Sequence, residues 1–243
     1  MKRAPLLGID VGVYASAVPV LLRNPSIIVV PLLMAVIGVL LTVVMTPFSS
    51  GAIGSMTLGL AQLIVFMLTL FGLGAACVIG DDAWRHGRAS FDRGWVETRR
   101  RGSDILMASV GFGLLVTVGL YVTQLLGLIG YLLTAAIVVF LIWTIPAAAV
   151  GGIPGGAAIQ VSIDRVRSSP LPAVLATIVT LLLVGLVVPI AANWLATLLL
   201  VWTYGNSLVE HLIAALLQAI AIGYIALVIT KTYTDAAFST RRW

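Results

Sequence analysis

The sequence predicts an all-α polytopic membrane protein: six transmembrane helices forming three hairpins, each preceded by a short amphipathic interfacial helix. Three observations predict it. Of 243 residues, 60% are hydrophobic and only 9% charged, against about 25% charged in a soluble domain. Too few charges exist to coat a water-facing surface. Six apolar runs are each long enough to cross a hydrocarbon core of about 30 Å at about 1.5 Å rise per residue. Finally, the basic residues fall only in alternate connections between those runs.

The runs extend from Ser26 to Pro47, Met56 to Ile79, Ser103 to Leu125, Leu128 to Val150, Leu171 to Ala196 and Val209 to Lys231. None alternates with the period of two that a barrel strand requires, so helices are the predicted spanning elements. Pro31, Pro146 and Pro189 fall inside runs, where membrane helices accommodate proline as a kink.

The basic residues set an orientation. Lys2, Arg3 and Arg23 precede the first run. Arg85, Arg88, Arg93, Arg99, Arg100 and Arg101 separate the second and third. Arg165 and Arg167 separate the fourth and fifth, and Lys231, Arg241 and Arg242 end or follow the sixth. Six spans put all four groups on one side, and the positive-inside rule makes that side, with both termini, cytoplasmic. A bacterial inner membrane is the expected location. The start Met1-Lys2-Arg3 mimics a signal peptide, but the following stretch is short, carries Asp10 and lacks a cleavage site, so no cleaved signal is expected. One membrane domain is predicted.

Within it, three units repeat, at residues of about 10–80, 87–150 and 155–231. The segments before the hairpins align without gaps: Tyr14 to Pro25, Phe91 to Gly102, and Ile159 to Pro170. Apolar residues coincide at Tyr14, Phe91 and Ile159, then at Val18, Trp95 and Ile163, then at Leu21 and Val166 with Thr98. That spacing of i, i+4, i+7 predicts one apolar helix face. Tyr14, Phe91, Trp95 and Ile163 are its predicted interfacial anchors, joined on the opposite side by Trp194, Trp202 and Tyr204. Arg93 with Glu97 and Glu97 with Arg101 are predicted i, i+4 pairs. Asn24-Pro25 and Ser169-Pro170 read as helix caps followed by proline at the first turn, and Ser103 as the cap of the third span.

Candidate sites are few. Arg93, Arg99, Arg100, Arg101, Arg165 and Arg167 are the predicted contacts for anionic lipid headgroups, each worth about 1 kcal/mol near an anionic leaflet. Asp81-Asp82 could hold Mg²⁺ or act as acid and base, but no second acidic pair accompanies it at motif spacing, and pairing with Arg85 is the expected role. His86 and His211 lie on opposite sides, so no metal site, cofactor or catalytic residue is predicted. Cys77 reads as a small buried hydrophobe. No ionisable residue lies mid-span, which argues against proton coupling. Gln62, Thr69, Thr117, Gln124, Thr134, Asn193 and Gln218 are expected to bond between helices. Gly72, Ala76, Gly111 and Gly119 are expected to permit close packing. The glycines of Gly151 to Gly156 lack the lysine of a phosphate loop.

Leu22-Arg23-Asn24-Pro25, the Phe91 to Arg101 segment and Ser162-Ile-Asp-Arg-Val-Arg167 resemble an uncharacterised bacterial six-span family that includes the YciC-like proteins. That group is similar to the membrane part fused to some glycerophosphodiester phosphodiesterases. The resemblance implies the fold and no activity, since this sequence has no counterpart of the phosphodiesterase metal site. The expected function is non-enzymatic: handling lipid or passing a small molecule, as a homo-oligomer. The alternative is a scaffold or accessory subunit of a larger membrane complex. The bilayer and its anionic lipids are the expected partners. Nucleic acid is not, because the net charge of +5 sits in short segments between spans.

Overall fold

A computed structural model describes residues 10–48, 50–203 and 207–239, with side chains at all of these except 52, 53, 55, 199–203, 207, 208 and 237–239. The described residues form only helices, turns and short connections. In order these are α1 (Gly12–Arg23), α2 (Ser26–Met45), a 3-10 turn (Thr46–Phe48), α3 (Gly51–His86), α4 (Phe91–Arg100), α5 (Gly102–Leu126), α6 (Leu128–Leu141), α7 (Thr144–Ala149), α8 (Gly155–Ser168), α9 (Pro170–Leu182), a π segment (Leu183–Val187), α10 (Val188–Thr203) and α11 (Ser207–Ser239).

Six stretches are long and apolar enough to span a membrane: Ser26–Phe48, Met56–His86, Gly102–Leu126, Leu128–Ala149, Pro170–Leu198 and Val209–Ala236. They match the six runs of the sequence. The second and sixth run further than the apolar pattern does, because ion pairs of i, i+4 spacing, Asp81–Arg85 and Lys231–Asp235, carry the helix past the last apolar turn. Gly87 then ends α3 at φ 76, its N–H donating to the Ala83 carbonyl at 2.8 Å.

The three prolines act differently. Pro31 sits within an unbroken α2. Pro146 lacks the N–H that the Ile142 carbonyl would accept, and span four breaks there into α6 and α7. Pro189 likewise frees the Gly185 carbonyl, and the turn around Gly185 widens into the π segment.

The core is built on α3 and α11. Half or more of their membrane windows is buried, against 17% for span five. In lipid no hydrophobic force draws helices together, so close dispersion contact must do it. Ala75, Ala76, Ala83 and Ala226 are buried at this seam. A Cβ on Gly80 would lie 3.2 Å from Leu227, and one on Gly72 would lie 3.2 Å from the Pro31 backbone. Two indoles donate to α11. Trp84 Nε1 donates to the Leu227 carbonyl at 3.1 Å, and fully buried Trp143 Nε1 donates to Thr232 Oγ1 at 3.2 Å. Burial concentrates toward one end, the end that carries the described lysines and arginines.

The three short helices bury the same alignment positions. Ala17, Gly94 and Ser162 are buried, as are Leu21, Thr98 and Val166. The short helices pack on spanning helices: α4 on α3, α8 on α5, α7 and α6, and α1 on α11. A Cβ at Gly94 would come within 2.5 Å of Ile79. Ser162 Oγ donates to the Phe140 carbonyl at 2.8 Å and accepts from the Trp143 N–H at 3.2 Å. Leu21 meets Gly223, and Tyr224 OH donates to the Tyr14 carbonyl at 3.1 Å.

This corrects the expected apolar face. Val18 is exposed, and Tyr14, Phe91, Trp95, Ile159 and Ile163 are half-buried flanks. The small aligned residue sits at the centre because only a short side chain lets two helix backbones approach. The caps differ as well. Ser103 makes no cap bond. Asn24 does not cap α2; its amide donates back to the Val20 carbonyl at 2.9 Å.

Gly94→Leu therefore overpacks the α3–α4 contact and is expected to lower stability by about 1–3 kcal/mol. Gly156→Ala, whose Cβ would meet open space, should change it little. Thermal unfolding of the two variants in the same detergent checks the contrast.

Candidate functional site

The basic end divides its arginines into two groups. Some are used inside the fold. Arg101 is mostly buried: its Nε donates to Glu97 at 2.6 Å, and its Nη1 donates to the carbonyls of Ala149 and Val150 at 2.9 and 2.8 Å. Those carbonyls end α7, so Arg101 caps the C-terminus of span four and complements its dipole. Arg165 lies over the Tyr233 ring, 3.7 Å from its centroid, and donates to the Tyr233 carbonyl at 3.3 Å. It fastens α8 to α11.

Arg100 pairs with Glu97 at 3.1 Å. The expected Arg93–Glu97 pair is not formed; Arg93 reaches Asp82 instead, at 3.3 Å. Asp82 ties span two to α4. One carboxylate oxygen takes Arg93 and the His86 Nδ1 at 2.9 Å, and the other accepts the Ser90 N–H at 3.1 Å. Asp81 pairs with Arg85 at 2.8 Å, as expected. A cleft of about 680 Å³ opens between Asp82, Asp92, Arg93, Glu97, Arg101 and Val150, and most of its charges are matched there. Among the described residues no three His, Cys, Asp or Glu side chains gather as a metal site.

The second group faces outward. Among the described residues, Arg23, Arg88, Arg99 and Arg167 meet no carboxylate or carbonyl. All four are exposed. Of the six arginines expected at headgroups, only Arg99 and Arg167 are thus free. Arg23 joins them, as does Arg88, which lies beside the expected cluster in the sequence. For Arg23 a signal exists, since no acidic residue lies three or four positions from it; Arg88 has Asp92 four positions on, and only the structure leaves it unpaired.

Phe91 and Trp95 stack with centroids 6.4 Å apart and planes 5° apart. Burial pushes the Tyr14 hydroxyl up to about 12, with Tyr224 beside it adding to the rise. Trp194 is exposed on span five. The Trp202 side chain and Tyr204 lie outside the described residues. Opposite its packed face, α1 presents Val11, Ala15, Val18 and Leu22 as an exposed stripe of i, i+4, i+7, i+11 spacing.

Toward the opposite end, the polar span residues split. Thr134 and Thr123 bond across α6 and α5 at 3.0 Å. Thr69 bonds only to its own helix, at the Val65 carbonyl. Gln62, Thr117, Tyr121 and Gln124 line a groove of about 300 Å³ between α3 and α5.

No family model matches this chain, and neither a curated protein nor a solved structure is significantly similar to it.

The division of the arginines has a direct consequence for stability. Arg101→Gln leaves two carbonyls and Glu97 without their charged donor and is expected to cost about 2 kcal/mol. Arg99→Gln should stay within about 0.5 kcal/mol of the parent. Denaturation curves of the purified variants separate the two cases.

Proposed function

We propose that this protein is a non-enzymatic, multi-pass protein of the bacterial inner membrane that handles lipid from the cytoplasmic leaflet. The observation that carries this reading is the free basic rim: Arg23, Arg88, Arg99 and Arg167 are exposed and lie just before the starts of α2, α4, α5 and α9 in the chain. Guanidinium groups there meet phosphate, with which arginine forms bidentate bonds. The exposed stripe of α1 supports the same reading. An apolar face beside a basic edge is the signature of a helix lying in the interfacial plane. In this arrangement three hairpins are each led by such a helix, and both termini are cytoplasmic.

Lipid is favoured over solute permeation because α3, α7 and α11 close the basic end with buried side chains, among them Ile79, Ala148, Leu227 and Ile229. The catalytic reading is disfavoured because the Asp81–Asp82 pair is held by Arg85, Arg93 and His86. A homo-oligomer, or a place in a larger complex, fits the broad apolar flanks of spans one and five, where only 22% and 17% of the membrane windows are buried.

Gentle extraction followed by lipid mass spectrometry tests the proposal. Anionic phospholipid should be enriched over its bulk fraction, and Arg99→Gln with Arg167→Gln should reduce the enrichment by about fivefold per charge removed. Lipid composition equal to bulk in both proteins would count against it.

A further inference from the structure

We propose that Arg23 and Arg88 form a phosphate-binding site in a groove where α1 and α2 meet the turn between α3 and α4. It rests on the reading above only in taking this end to face an anionic leaflet. The groove measures about 790 Å³, and Arg23, Asn24, Ser26, Arg88 and Phe91 are among its lining residues.

The fold brings Arg23 and Arg88, far apart in sequence, to the same groove. Gly87, at φ 76, reverses the chain after span two and turns Arg88 toward α2. Asn24 is buried, and its Oδ1 accepts the Ala89 N–H at 2.7 Å, which pins that turn beside the last residue of α1. The second bond of Asn24, to the Val20 carbonyl, holds the amide itself still.

Charge decides the ligand class. No acidic residue lines this groove, whereas the neighbouring cleft around Asp82 matches its arginines with carboxylates. Two like charges brought to one groove repel, and an anion between them turns that repulsion into attraction. Ser26 adds a hydroxyl, and Phe91 supplies an apolar edge suited to glycerol or the start of an acyl chain. The ligand is therefore a phosphate ester. Its source is either the headgroup of an anionic phospholipid or a soluble phosphate compound.

Native mass spectrometry of the full-length protein in detergent tests the site. The probes are phosphatidylglycerol, phosphatidylcholine with the same chains, and glycerol phosphate. Wild type is expected to bind a first phosphatidylglycerol in preference to phosphatidylcholine. Arg23→Gln with Arg88→Gln should weaken that first site about tenfold or more, with thermal unfolding unchanged, since both side chains are exposed. Arg99→Gln with Arg167→Gln should spare the first site and weaken later ones. Competition by glycerol phosphate, lost in the Arg23/Arg88 variant, would make the source a soluble ester; tight binding of the lipid alone would make it the headgroup. Equal first-site affinity in wild type and the Arg23/Arg88 variant overturns the proposal. If the Arg99/Arg167 variant then loses the anionic preference, the rim reading survives without this site; if neither variant changes anything, both fall.

Discussion

The close contact of α3 with α11 is the constraint on which the rest of the structure depends. Lipid gives helices no hydrophobic reason to associate, so contact must come from surfaces that fit. Small residues on α3 and the alanine at position 226 bring the two backbones together, and Trp84 then reaches a main-chain carbonyl across the gap. Several helices pack directly on this pair. α2 and α5 pack on α3, α7 wedges beside both, and α1 closes on α11. The peripheral spans, one and five, keep most of their surface for the bilayer.

At the basic end, tertiary contact sorts charges that look alike in sequence. Arg99, Arg100 and Arg101 are consecutive, yet their surroundings differ: Arg100 and Arg101 share Glu97, and Arg99 has no such partner. Arg101 faces inward and caps span four, Arg100 lies on Glu97, and Arg99 faces out. A cap serves there because the last carbonyls of a helix have no donor within it, and Arg101 supplies one to Ala149 and Val150. The same end is stitched across elements by Asp82 and by Arg165 on Tyr233. These bonds tie the elements of the basic end together and leave Arg23, Arg88, Arg99 and Arg167 exposed.

That division gives the functional reading its content. In that reading the rim's arginines sit at or beside the ends of packed helices. The groove at Arg23 and Arg88 is its least compensated part, because the acidic residues nearby serve α4 instead.

The sequence by itself determined the number of spans, and it set the expectation of one-sided charge and of three alike lead-in segments. Each follows from local quantities: run length, composition and the parity of loops. It also located Asp81 with Arg85 and Glu97 with Arg101, since i, i+4 neighbours meet on any helix. It misplaced Arg93, whose partner lies on another helix, and it centred the short-helix face on large residues when Ala17, Gly94 and Ser162 occupy the contact. Gln62, Thr117 and Gln124 were expected to bond between helices, and only the structure showed them sharing a groove. Which arginines stay free was decided by tertiary structure alone. A guanidinium's fate depends on what lies within about 4 Å of it, and for Arg101 and Arg165 that is a carbonyl or a ring 48 and 68 residues away.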